Sequence, residues 1–519
     1  MRMLRRVTLA DWPAQDRSAL CGAALAMFGS MFLVATWGVI ILPVQQAFHA
    51  SADAEVLLRQ LPDIAGLLSV LTVGAFGPQV SASRLMSIAA VTAFVGALFM
   101  LFAPSYGWLI LGLSLMSVGR SVVGVAAYAA IGATITDESR RTSAFAMLGA
   151  AAPVAFITGP VLAGAMLDAG GWRPIGILWM VSAFMLALAG WLMRRPTHEP
   201  QIVERREPWT PILGGITLVG MVQSLDAVTL HGPGSFATMA WIAGTLAAAS
   251  AWFMLTRVLS NPTIDGRMLR VPGLIPILVV AMIGQCGDLW FYVAVFARFV
   301  HHLSALQVTL TMLVAQFASL GGACLAGWLI RRAGLRSTGT LLLALYSGAM
   351  FLFCTTNLTN PLWIVIAILC IAAVAEIGAG VCLSQAIMSC APIGKDRAVA
   401  SYRSAAMGVG NALALLLVAS SVGRAMGVSM RQEAEDRHVA PAKVEALVEA
   451  IRDNVPTTQI GRDLELSEAQ LQDLRGVRRE VIVDGFRAHG LVSGSVLAIA
   501  ALGFWVVRRR DKRVEIAAG

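Results

Sequence analysis

Fourteen times along the chain, roughly 20 successive residues pass with almost no charge, and this pattern leaves few folds open. The apolar runs lie near 19–43, 60–79, 85–103, 108–133, 143–166, 174–193, 211–229, 236–256, 275–298, 306–330, 338–356, 361–388, 402–423 and 490–507. A helix rises about 1.5 Å per residue, so each run matches the roughly 30 Å hydrocarbon core of a bilayer. Lipid offers no partner for backbone N–H and C=O groups, so a run of this kind must be a helix that bonds to itself. The runs at 60–79 and 211–229 are the least regular, because Asp63 and Asp226 lie near one end of each.

Composition closes the soluble alternatives. Of 519 residues, 57% are apolar and only 13% charged, with a mean hydropathy of +0.73. Soluble domains carry about a quarter charged residues, so this chain cannot coat globular cores of its length with polar surface. A soluble enzyme, a disordered chain and a nucleic-acid reader are excluded. Only Lys395, Lys443 and Lys512 of the 39 basic residues are lysine, a bias of GC-rich bacterial genomes.

The net charge of +9 is topological. With the N-terminus on the cytoplasmic side, cytoplasmic segments hold 25 basic residues and the short outer loops only Arg59, Arg173 and Arg298. Adding or losing one span would scramble this alternation. Both termini are therefore expected in the cytoplasm of a bacterial inner membrane, with 1–6 retained as a tail because the first run is too long for a signal-peptide core. One long outer loop, 424–488, carries ten bases and twelve acids. It is expected to form two short amphipathic helices, one starting at Pro441 and one capped by Ser467 with Gln470 three residues on. The loop is either a solvated cap or a docking surface for a periplasmic partner.

Seven cysteines, all in apolar segments and without a C-x-x-C pair, imply neither disulfides nor a metal. No cofactor is implied, and no G-x-x-x-x-G-K-[ST] loop occurs, so ATP is not the energy source.

Two stretches occupy matching places in the two halves. Residues 74–86 read GAFGPQVSASRLM and residues 327–336 read GWLIRRAGLR. The second is similar to the G-x-L-x-D-R-x-G-R signature of major facilitator superfamily transporters. It keeps Gly327, Leu329, Arg332, Gly334 and Arg336, with Arg331 at the Asp position. The first keeps Gly74 and is eroded beyond it. Arg120 and Gly124 resemble the fourth-span R-x-x-x-G of the same family. Gly159, Pro160 and Gly164, followed by Gly171-Trp172-Arg173, resemble its fifth-span antiporter signature. With fourteen runs, the chain resembles the 14-spanner drug:proton antiporter branch. That resemblance implies an all-α polytopic membrane protein of the major facilitator fold: two six-helix bundles plus two extra central spans, 14 transmembrane helices in all. The expected units are an N-terminal bundle (1–193), a cytoplasmic linker (194–210), two inserted spans (211–256) and a C-terminal bundle (257–519) that includes the outer loop. The branch's first-span acid is absent, with Val34 in its place, while Thr36, Leu42 and Pro43 are kept.

Charges at mid-depth are costly and mark pathways. Three residues sit ten or more positions from both ends of a run: Arg120 in the N-terminal bundle, Asp288 and Glu376 in the C-terminal one. Asp288 or Glu376 is the expected proton carrier and Arg120 the counter-charge; a static buried pair is the other reading of the same residues. Asp63, four residues after Arg59, is expected to pair locally with it. Asp226, His231, His301 and His302 are expected in outer, solvated positions. Trp37, Trp290, Phe291 and Tyr292 are candidates for an aromatic cavity or for packing.

The expected function is alternating-access efflux of drugs or other amphipathic small molecules in exchange for protons. Membrane lipid surrounds such a protein, and a periplasmic adaptor is a partner implied by the family resemblance. An importer of the same fold and a non-transporting scaffold or sensor stay open as alternatives; an enzyme does not, since no catalytic cluster converges.

Overall fold

Small polar caps and glycines, rather than long loops, divide the chain into helices. In a computed structural model the described residues are 11–48, 52–76, 80–194, 207–259, 266–287, 290–303, 305–392, 394–436 and 468–518. They form α1 (Ala14–Ala47), α2 (Ala52–Phe76), α3 (Ala82–Phe102), α4 (Tyr106–Thr134), α5 (Glu138–Gly170), α6 (Ile175–Leu192), α7 (Trp209–His231), α8 (Phe236–Val258), α9 (Leu274–Ile283), α10 (Trp290–Phe299), α11 (Ala305–Phe353), α12 (Leu362–Met388), α13 (Asp396–Asp436) and α14 (Glu468–Ala518). Ser81, Asp137 and Ser235 start α3, α5 and α8 by accepting bonds from the backbone N–H groups of Arg84, Arg140 and Thr238 at 3.2, 2.8 and 3.2 Å. No strand occurs among the described residues.

Among the described residues the apolar runs fall on helix but for a few terminal positions, with one interruption at 284–287. Among the described residues, ten helical segments are long and apolar enough to cross a membrane, and Gln60–Ala75 and Leu274–Ile283 are shorter apolar helices. One of the ten, Gln307–Phe353, covers two runs. It is divided at Gly334, whose φ of 80° lies in the left-handed region that side chains other than glycine's rarely adopt.

The helices group as the repeat requires. Helices α1 to α6 pack on one another, as do α9 to α14. The two groups meet where α5 packs on α11 and α12, and where α13 packs on α2 and α4. Helix α7 lies against α2, α13 and α8. Helix α8 is almost bare, with Phe236, Met254 and Val258 at 90%, 68% and 82% exposure, as suits a lipid-facing helix.

The outer segment differs in part from expectation. Pro441 and the rest of 437–467 lie outside the described residues, as does Ser467. The helix described from Glu468 onward is no separate short element. It runs unbroken through the last apolar segment, Val483–Val507, because no proline interrupts 468–507. Helices α13 and α14, 41 and 51 residues long, pack together and outlast the apolar runs they contain.

Candidate functional site

The C-terminal half builds its site around a broken helix. Helix α9 stops at Ile283, and α10 starts at Trp290, so the backbone is irregular in the middle of the run at 275–298. Irregular backbone at such depth persists only where protein groups or water satisfy it. Here the Tyr346 hydroxyl, on α11, donates to the Gly287 carbonyl that the break frees. Asp288 lies outside the described residues. The other expected acid is well placed: Glu376 of α12 is half-buried, and its Oε2 accepts from Trp290 Nε1 at 3.1 Å. Two of the candidates are thus brought together by a hydrogen bond. The side chains of Phe291 and Tyr292 lie outside the described residues.

The N-terminal half holds a charged pair that the sequence reading does not anticipate. Arg120 Nη2 on α4 lies 3.6 Å from Asp63 Oδ1 on α2, and the two side chains are 39% and 65% exposed. Asp63 was expected to pair with Arg59, whose side chain lies outside the described residues, at the rim of its run. The apolar run starts at 60, but the helix starts at Ala52, which moves Asp63 to the middle of its 25 residues. At that depth a neighbouring helix supplies the better partner. Helices α2 and α4 are held close there: Ser121 Oγ donates to the Gly66 carbonyl at 2.9 Å. Asp226 is half-buried on α7, which packs against α2, rather than solvated.

Where the usual first-span acid is missing, the first helix is closed by other bonds. Thr36 is fully buried; its Oγ1 donates to the Phe32 carbonyl at 2.9 Å and accepts from Trp179 Nε1 at 2.8 Å. Trp37 is half-buried with its ring 6.3 Å from that of Trp179, so it packs on α6 as well as lining the interior. Gly159 lets α5 approach α1, since a Cβ there would lie 2.9 Å from the Ala35 Cβ. Pro160 does not interrupt α5, and a Cβ at Gly164 would meet no atom within 4 Å.

All the polar bonds named between the two halves lie toward one face, the one that carries Arg140, Arg141, Arg331 and Lys395. Arg141 Nη2 is 3.8 Å from Asp396 Oδ1. Gln385 Nε2 donates to Thr142 Oγ1 at 2.7 Å, and Arg331 Nη1 to Ser143 Oγ at 3.0 Å. Arg397 donates to the Val80 carbonyl. Deeper in the seam, the guanidinium of Arg403 on α13 stacks 3.6 Å from the ring centre of Tyr128 on α4. Arg403 is only 7% exposed and also donates from Nε to Ser384 Oγ at 2.9 Å. The Gly74 Cα faces Ser401 so closely that a Cβ would overlap its hydroxyl, and Gly124 faces Ser404. Burial pushes the Asp396 carboxyl above its ordinary range, and Arg141 offsets part of that.

The conformational motif residues divide their work. Arg331, standing at the motif's Asp position, is the residue that crosses to the other half; Gly327 admits Ala146 beside it. Arg332 lies over the Trp328 ring at 4.5 Å, on its own helix, and Arg336 binds the Trp505 carbonyl and ring of α14. Sequence reasoning missed Tyr128, Asp396 and Arg403. An Arg and an aromatic near run ends look like ordinary interface anchors, and only the fold sets them opposite each other.

Each half therefore sets an ionisable side chain at mid-helix, and the polar bonds named between the halves lie toward one face. Comparisons with known proteins bear on the family and the fold. The Major Facilitator Superfamily profile matches residues 19–415. The methyl viologen resistance protein SmvA of Salmonella typhimurium is 24% identical over 458 residues, covering 86% of this chain and 88% of SmvA. The multidrug resistance protein Stp of Mycobacterium tuberculosis is 22% identical over 427 residues, covering 79% and 76%. Among solved structures, a bacterial homologue of the iron transporter ferroportin in an outward-facing state superposes with a TM-score of 0.55 at 13% identity, covering 94% of this chain and 99% of that one. The human organic anion transporter MFSD10 (TETRAN) gives 0.56 at 13% identity, covering 78% and 93%.

Proposed function

The chain belongs to the Major Facilitator Superfamily, and on that premise we propose that it is a secondary transporter exporting amphipathic, cationic small molecules from a bacterial cell in exchange for protons. The observation that carries this reading is the placement of charge. Each half presents an ionisable group at mid-helix, Asp63 with Arg120 and Glu376 with Trp290, while the polar bonds across the seam lie toward the basic face. In this reading the basic face is cytoplasmic, both termini lie on that side, and the fourteen runs are fourteen crossings in the inner membrane. The two bundles, 1–193 and 257–519, rock about the cargo, and 211–256 are inserted spans joined through the linker 194–210.

The proposed cycle follows from the groups present. Protons arrive from the outer side at Asp63, Glu376 and Asp288. Protonation of Asp63 releases Arg120, and protonation of Glu376 turns its bond with the Trp290 indole from charge-assisted to neutral, which weakens it. The basic-side seam then opens, protons leave to the cytoplasm, and the re-ionised carboxylates attract a cationic cargo. Trp37, Trp290 and Tyr292 offer it flat apolar faces. The names of SmvA and Stp support efflux as the direction and resistance to toxic compounds as the use. The extensions 424–436 and 468–482 are the proposed contact for a periplasmic adaptor.

Purified protein in liposomes with an imposed pH gradient and ethidium as cargo tests this. Wild type should accumulate ethidium against its gradient only while the pH gradient lasts, and Glu376→Gln should lose that coupling. Transport indifferent to the pH gradient, or unaltered in the Gln variant, refutes proton exchange at Glu376.

A further inference from the structure

Where the C-terminal half turns on the basic face, two arginines are laid on indoles. The turn at Gly334 joins two apolar runs of α11, and the apolar segment Val483–Val507 of α14 ends beside it, so the three meet at one membrane–water interface. Arg336, two residues past the turn, places its guanidinium 3.5 Å from the centre of the Trp505 ring and donates from Nε to the Trp505 carbonyl at 3.1 Å. The platform is firm: α11 and α14 touch at Gly339 and Phe504, where a Cβ on the glycine would overlap the ring. Arg332, two residues before the turn, lies 4.5 Å over the Trp328 ring. Both indoles are open to the surroundings, Trp328 at 44% and Trp505 at 41% exposure, and Leu502 and Val506 beside Trp505 are exposed too.

These contacts occupy one face of each guanidinium and, in Arg336, the Nε. The Nη groups of both arginines have no acceptor, and neither arginine has a carboxylate partner, among the described residues. A guanidinium held flat with its Nη edge free suits a phosphate oxygen pair. The surrounding charge selects the kind of phosphate. Residues 327–347 contain no acid, and Arg331 stands where the family motif has its Asp. The ammonium of a zwitterionic headgroup meets only positive charge here, whereas an anionic headgroup carries no such group.

We propose that the α11 turn and the neighbouring end of α14 form a seat for an anionic phospholipid of the adjoining leaflet. Arg336 and Arg332 hold its phosphodiester, and its acyl chains lie along Trp505, Leu502 and Val506. The lipid ties the turn to the membrane surface next to Arg331, whose Nη1 crosses to Ser143 of the other half. The basic-side seam is thereby made sensitive to the headgroups around it. This binding depends on neither the cargo nor the coupling ion.

Full-length protein purified in mild detergent is offered equal amounts of phosphatidylglycerol and phosphatidylcholine, and the retained lipids are counted by native mass spectrometry. Wild type should keep phosphatidylglycerol in preference. One arginine at the membrane surface contributes about fivefold to anionic-lipid binding, so Arg336→Gln and Arg332→Gln should each lower the preference by about that factor. Arg336→Lys, which keeps the charge without the fork, should recover part of it and separates charge from a folding defect. Arg84→Gln removes an exposed charge elsewhere on the basic face, at the start of α3, and should change nothing. Excess inorganic phosphate should not displace the lipid; displacement assigns the site to free anions and overturns the proposal. So does equal retention of the two lipids by wild type, an unchanged preference in either Gln variant, or the same fall in Arg84→Gln.

Discussion

Replacing Tyr128 by leucine isolates the energy that closes the basic-side seam. Arg403 is buried at 7% exposure, and three groups meet its environment. The Ser384 bond joins α13 to α12 within one half, and the Tyr128–Phe145 ring contact at 5.9 Å joins α4 to α5 within the other, so neither changes when the halves part. The guanidinium over the Tyr128 ring, 3.6 Å from its centre, does cross the seam. A desolvated cation–π contact is worth about 2 kcal/mol, and each 1.4 kcal/mol is about tenfold in an equilibrium, so Tyr128→Leu should raise the open-to-closed ratio on this face by about 30-fold. Leucine keeps apolar bulk, and Tyr128→Phe keeps the ring. Spin labels at the exposed positions Ser139 and Lys395, one on each half, report the separation by double electron–electron resonance. Wild type and Tyr128→Phe should give mainly the short distance, and Tyr128→Leu a large long-distance population. Equal distributions in wild type and Tyr128→Leu refute the reasoning.

The same labels test a pH dependence at the seam: burial raises Asp396 while Arg141 partly offsets it. A carboxyl whose pKa is raised in the closed form is neutral there more readily, so closing is favoured by acid and weakens as pH rises through the raised value; Asp396→Asn should flatten that slope. Trp290→Phe deletes the indole donor to Glu376, leaving the carboxylate without that bond, so the pH profile of ethidium exchange should move to higher pH by about one unit. Gly334→Ala places a side chain at φ 80°, with no steric contact but a conformational cost of about 1–2 kcal/mol. Its thermal midpoint in detergent should fall, whereas Arg332→Ala, whose guanidinium stays over Trp328 of its own helix, should change it little.

How much of this was readable beforehand follows from what each signal depends on. Span positions depend on local composition alone, and the runs fall on helices. The turn at Gly334 was visible because one residue type serves it. Glu376 was found by depth counting, since its run and its helix coincide. Asp63 was misjudged for the opposite reason: its helix starts eight residues before its apolar run. The interruption at 284–287 hid in a continuous run, although Gly284 and Gly287 flanking Gln285 and Cys286 were a signal that could have marked it. The Arg403–Tyr128 contact and the Arg120–Asp63 pair join residues far apart in the chain, and no local pattern encodes them. Helix α14 runs on from the loop into the last apolar segment because residues 468–507 contain no proline.

The central claim is that the mid-helix acids of both halves open to one water-filled path that faces the outer side at rest. In a cysteine-free background, Asp63→Cys and Glu376→Cys can each be challenged with a membrane-impermeant thiol reagent on intact cells and on everted vesicles. Both should react from the outer side and far more slowly from the cytoplasmic side, with Tyr128→Leu speeding the cytoplasmic reaction. Labelling of either cysteine mainly from the cytoplasmic side, or of neither from any side, contradicts the account.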